Sequence, residues 1–122
     1  MKNEQLGGSG NAIVDKSYDF ALRILQLGKH LREQQEYLVS KQVVRCGTSI
    51  GANVEEAQGG QSKADFIAKM QIALKEARET KYWLRLLRDS KSLELRLAES
   101  LIQDAEELLR LLNAILISSK DR

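Results

Sequence analysis

Arg78, Lys81, Arg85 and Arg88 recur at steps of three and four, with Lys75 and Tyr82 beside them and Lys91 beyond. On a helix this spacing lines the cations along one strip. Guanidinium and ammonium groups so placed can follow the phosphates of RNA or DNA, and a tyrosine among them can stack on an unpaired base. That is binding chemistry, not catalysis. An intramolecular reading competes with it. Residues 94–110 carry Glu94, Glu99, Asp104, Glu106 and Glu107 against Arg96 and Arg110, so an antiparallel neighbour could neutralise the strip by ordinary surface ion pairs. The residues alone leave both readings open.

Little else suggests chemistry. A four-helix bundle that binds two metals uses paired Glu-x-x-His units, whereas His30 is the only histidine, with Glu33 three residues later. It reads as a solvated or a helix-end residue. Gly59-Gly60-Gln61-Ser62-Lys63 could offer free N–H groups to an anion at a helix start, but a glycine pair more simply makes a turn. Cys46 is the only cysteine, which excludes an intramolecular disulfide, suits a reducing compartment and points to a buried, inert thiol. No Ser–His–Asp or Cys–His set can be assembled. The expectation is a protein that is not an enzyme, with no metal and no cofactor.

The elements that must position the strip are helical. The 122 residues contain no proline, 43% are hydrophobic and the net charge is +2, which fits one domain with a continuous core and only a local basic site. Leu, Ala, Glu, Lys, Arg and Gln dominate from Ala12 onward, a helix-forming composition. Breaks at Gln34–Glu36, Gly59–Ser62 and Asp89–Ser92 leave four long segments, and short links between long helices make antiparallel neighbours. Ser62 followed by Asp65 resembles a capping box, and Gly59 is placed as a terminator. The expected architecture is an all-α, up-and-down four-helix bundle over residues 12–119, preceded by a flexible, glycine-rich tail at residues 1–11. The tail lacks the apolar segment of a signal peptide, and no stretch approaches the ~18 apolar residues of a membrane span. A cytoplasmic protein follows.

Apolar residues exceed what one seam needs. In the first helix Val14, Tyr18, Ala21, Leu25 and Gly28 form one row, and Ile13, Phe20, Ile24, Leu27 and Leu31 form another; at ~100° per residue they face different ways. The fourth carries a core stripe of Leu97, Leu101, Ala105, Leu108, Leu112 and Ile115, with Leu95, Ile102, Leu109 and Leu116 every seven residues beside it. In the third, Ile72, Trp83 and Leu86 lie off the core row of Phe66, Met70, Ala73, Ala77, Thr80 and Leu84. The second row of helix one (Ile13, Phe20, Ile24, Leu27, Leu31), with Ile72, Trp83, Leu86, Leu95, Ile102, Leu109 and Leu116, is assigned to a homo-oligomer interface in preference to wide arcs buried within one chain, since soluble monomers seldom leave such surface in water. In the second helix Val43, Gly47, Ile50, Val54 and Ala57 form a contact row whose glycines permit close helix approach. Ser49 and Asn53 sit one turn apart beside it as structural polar groups, with Glu76 or Glu79 as expected partners for the amide.

Ser49-Ile50-Gly51-Ala52-Asn53-Val54-Glu55-Glu56-Ala57, Ser62-Lys63-Ala64-Asp65-Phe66-Ile67 and Ala73-Leu74-Lys75-Glu76-Ala77-Arg78-Glu79-Thr80-Lys81-Tyr82-Trp83-Leu84 carry a family resemblance. The chain resembles the four-helix bundle proteins encoded in 23S rRNA intervening sequences, often labelled ribosomal proteins, and the related accessory variability determinant proteins of diversity-generating retroelements. Many members have proline at the position of Gly51 and an Ala-Glu-Gly run near Glu55–Ala57; this sequence is similar to a proline-free branch. The resemblance implies a closed bundle assembling as a ring, commonly a pentamer, and association with nucleic acid, RNA before DNA. The competing expectation is a scaffold or accessory subunit that meets another protein and no nucleic acid.

Overall fold

The computed structural model describes residues 11–120. Four helices follow one another: α1 (Ala12–Glu33), α2 (Tyr37–Gln58), α3 (Lys63–Asp89) and α4 (Leu95–Lys120). The breaks fall where turn chemistry and interrupted periodicity placed them. The expected tail lies outside the described residues except for Asn11, the N-cap residue of α1, whose carbonyl accepts from Asp15 N at 3.0 Å.

Helix ends show why the links are short. At the α3 start the Ser62 hydroxyl accepts from Asp65 N at 3.1 Å, satisfying one orphan N–H. Gly59 does cap α2, but with φ −96° it uses none of glycine's special freedom. The left-handed positions are Gln35 (φ 64°) and Lys91 (φ 60°). Each closes a Schellman motif: Glu36 N donates to Leu31 O at 2.8 Å and Gln35 N to Arg32 O at 2.9 Å, while Ser92 N donates to Leu87 O at 3.0 Å and Lys91 N to Arg88 O at 3.1 Å. These two turns reverse the chain with side chains where glycine is usual.

The helices pack in a ring of neighbours, α1 on α2, α2 on α3 and α3 on α4, with α4 returning to α1 more sparsely. The α1–α2 and α3–α4 faces therefore lie on opposite sides. The α1–α2 contact is a close one. A Cβ on Gly47 would stand 2.8 Å from two carbons of Ile24, one on Gly51 3.2 Å from the Ser17 carbonyl, and one on Gly28 would collide with Val44. Across it the buried Ser40 hydroxyl donates to Gly28 O at 2.9 Å. The α1–α4 seam is instead bridged by Lys16–Glu107 at 3.2 Å and Arg23–Asp104 at 2.6 Å.

The core row of α2 is buried as expected, as are Met70, Ala73, Ala77, Thr80 and Leu84 of α3 and Leu101, Ala105, Leu108 and Leu112 of α4. The interface assignment needs correction. Ile13, Phe20, Ile24, Leu27 and Leu31 are not a surface row but the α1 contribution to the core, all buried within the chain. Ile102 and Leu116 are buried too, and Leu109 packs against the core. Each helix touches two neighbours, so its buried arc is wider than one seam. The row that reaches solvent on α1 is the other one, through Tyr18 and Leu25. Ile72, Leu86 and Leu95 are exposed, and Trp83 is half-buried.

Candidate nucleic-acid interface

The basic strip belongs to α3, and the fold divides it. Leu74, Ala77, Leu84 and Leu87 bury the opposite face of the helix, which turns Lys75, Arg78, Tyr82 and Arg85 outward as exposed side chains. The other two cations lie on its flank toward α4. Lys81 pairs with Glu106 of α4 at 3.1 Å, and Arg88 pairs with its neighbour Asp89 at 2.8 Å. Asp89 holds the Arg88 guanidinium above its ordinary pKa, and the guanidinium holds the Asp89 carboxyl below its own, through the hydrogen bond they share. Both competing sequence readings thus apply, to different members of the strip. Neutralisation by α4 is partial, because Asp104 and Glu107 face α1 and are taken by Arg23 and Lys16.

What remains is Lys75, Arg78 and Arg85 without an ion pair among the described residues, around Tyr82, which is 53% exposed. The Tyr82 ring meets Trp83 edge-on, centroids 5.9 Å apart at 69°. Trp83 is held in turn, its Nε1 donating to Glu79 Oε2 at 3.2 Å. The tyrosine is thereby braced by a neighbour while one side stays open to solvent.

Sequence reasoning missed the group that organises the α2–α3 edge of this surface. Arg45 reaches from α2 to Glu76 at 3.4 Å and to Glu79. Glu76 and Glu79 are consequently not the partners of Asn53. Its amide instead donates locally, to Ser49 O at 2.9 Å and Ser49 Oγ at 3.0 Å, since one helical turn brings these groups together more cheaply than an interhelical reach. The signal for Arg45 was present as Tyr37, Lys41 and Arg45 at steps of four, a second cationic stripe.

His30 is exposed in the last turn of α1, away from the strip. Among the described residues no three His, Cys, Asp or Glu side chains gather as metal ligands, and no helix is long and apolar enough to cross a membrane.

The Cys46 thiol is fully buried and donates to Val43 O at 3.7 Å. Burial pushes its pKa above the usual thiol range, only partly countered by the Thr80 hydroxyl. A thiol-specific reagent is expected to leave Cys46 unmodified at pH 8 in the folded protein and to label it fully in denaturant; rapid native labelling would contradict the burial. The folded thiol is the weaker acid, so its contribution to stability is complete below the unfolded thiol range and declines as pH rises through the folded value. Cys46→Ala is therefore expected to be less sensitive to alkaline pH than the parent, as read by urea midpoints at pH 7 and pH 10.

The family model of the 23S rRNA-intervening sequence protein matches residues 10–114, a span containing the first three helices and most of α4. The chain belongs to that family. No curated protein matches it. Among solved structures, the crystal structure of a protein of unknown function from the S23 ribosomal protein family of Bacteroides thetaiotaomicron VPI-5482 is 50% identical, with a TM-score of 0.83. The similarity covers 85% of this chain and 97% of the other. The intervening-sequence family thus accounts for the fold, and the all-α four-helix bundle expected from periodicity and turn chemistry is the one found.

Proposed function

We propose that this intervening-sequence protein is a non-catalytic, cytoplasmic, self-associating binding protein that holds nucleic acid, single-stranded RNA in preference to DNA, on the outward face of α3. The observation that carries the reading is the exposed group of Lys75, Arg78 and Arg85 around Tyr82, which α4 leaves without carboxylate partners among the described residues. Three cations around an aromatic suit phosphates flanking an unstacked base. Repetition of the face in a homo-oligomer, a pentameric ring being what the resemblance implies, converts modest single-site affinity into avidity.

Arg78→Glu combined with Arg85→Glu is expected to weaken binding of a fluorescein-labelled single-stranded RNA by about tenfold or more at low salt. It should also reduce the slope of log affinity against log salt by about 1.4. Unchanged affinity and slope overturn the reading.

Self-association rests on apolar side chains left outside the core: Leu38 at 69% exposure, Leu86 at 42% and Ile72 at 40%, on the α2–α3 side of the bundle. Size exclusion with light scattering, at low and high salt, is expected to give a multiple of the 13.8 kDa chain mass. A monomer at both salts overturns the oligomer and the avidity built on it. The same apolar group supports the second reading, an accessory scaffold for another protein. A stoichiometric protein complex that survives nuclease treatment, together with RNA binding that the α3 variant leaves unchanged, would favour it.

A further inference from the structure

A second cationic surface lies on the α1–α2 face, beyond the α2–α3 edge where Arg45 meets Glu76 and Glu79. The last turns of α1 and the first turns of α2 enclose a groove of about 390 Å³ lined by Arg32, Tyr37, Ser40, Lys41, Val44 and Arg45. No carboxylate lines it. Its floor exists because α1 and α2 approach closely at Gly28, where the Ser40 hydroxyl ties the two backbones together. The Arg32 guanidinium folds back into this crevice, its Nη1 standing 3.7 Å from where a Cβ on Gly28 would be. Arg45 contributes mainly its stem, since Glu76 and Glu79 take its charge. Arg32 and Lys41 form no ion pair among the described residues, and Tyr37 is 61% exposed at the mouth.

We infer that this groove holds one nucleotide unit of a single strand, its phosphate between Arg32 and Lys41 and its base on the Tyr37 ring. Two uncompensated cations favour a phosphate, and an exposed aromatic ring beside them favours the base attached to it. A second copy docked here about a two-fold axis would bring Arg32 and Lys41 against like charges. The far end of the α1–α2 face confines the phosphate to the basic end. There the lining is Tyr18, Ala21, Thr48, Gly51, Ala52 and Glu55, with one carboxylate and no cation. The inference rests on the nucleic-acid reading of the protein but places a contact on a face that reading does not use.

The test titrates the full chain with a fluorescein-labelled oligouridylate and maps photocrosslinks from a 5-bromouridine version by mass spectrometry. R32E/K41E is expected to lose about tenfold in affinity and Tyr37→Ala about fivefold or more, with helicity unchanged because all three side chains are exposed. Crosslinks should fall on Tyr37 and persist in R78E/R85E. Undiminished affinity in R32E/K41E with crosslinks confined to Tyr82 overturns this site while leaving the α3 face standing. No binding by the parent chain overturns both. Crosslinks at Tyr37 alone, with R78E/R85E binding normally, support the groove and remove the α3 strip.

Discussion

Phe20→Ala is expected to lower the unfolding free energy by about 3–5 kcal/mol, the cost of deleting a buried aromatic and leaving a cavity. Phe20 is 2% exposed, and its neighbours along α1, Ile24 and Leu31, are fully buried. The thermal midpoint should fall by about 10 °C or more. Ile72→Ser and Leu86→Ser, measured at a concentration too low for self-association, should stay within about 0.5 kcal/mol of the parent. These three variants separate core from surface among residues that periodicity alone placed in one interface. A Phe20→Ala chain with unchanged midpoint but altered oligomeric mass would return Phe20 to the surface and contradict the packing.

Gly47→Leu is expected to cost about 3 kcal/mol, at the upper end of what overpacking brings. Removing a glycine from a helix interior should by itself gain about 1 kcal/mol. The gain is outweighed because the new Cβ would stand 2.8 Å from both Cγ1 and Cγ2 of Ile24, a fully buried residue with nowhere to move. Separation of α1 from α2 is the remaining response, and it would open the Ser40–Gly28 link. Gly51→Ala provides the contrast. Its Cβ meets the Ser17 carbonyl at 3.2 Å, so that α1 must give by a few tenths of an ångström, and the helix-propensity gain is expected to offset this to within about 1 kcal/mol. Urea titration decides the pair through a lower midpoint at unchanged slope for Gly47→Leu; a midpoint equal to the parent's would mean that α1 and α2 are not in close contact there.

Much of the fold is local information. The absence of proline, the breaks at Gln34–Glu36, Gly59–Ser62 and Asp89–Ser92, and the Ser62 cap specify four helices, because helix formation and capping depend on residues a few positions apart. The small residues of α2 announced close packing on the same grounds. Which apolar row of α1 turns inward was not local. The rows of Val14 and of Ile13 both have helical spacing, and the choice depends on two neighbouring helices at once.

The binding surface divides in the same way. Residue type and spacing determine that a cationic strip with a tyrosine exists on α3 and that a metal site with paired Glu-x-x-His units cannot be built. Only the tertiary structure decides which cations stay available. Glu106 comes within reach of Lys81, while Asp104 and Glu107, close by on the same helix, turn to Arg23 and Lys16 of α1. It also decides that Arg45 spends its charge on Glu76 and Glu79, leaving Arg32 and Lys41 to line the α1–α2 groove. The physical reason is range. Helix propensity acts over one or two turns of chain, whereas ion pairing acts through space between residues as distant in the chain as Lys16 and Glu107, and only the packed bundle sets those distances.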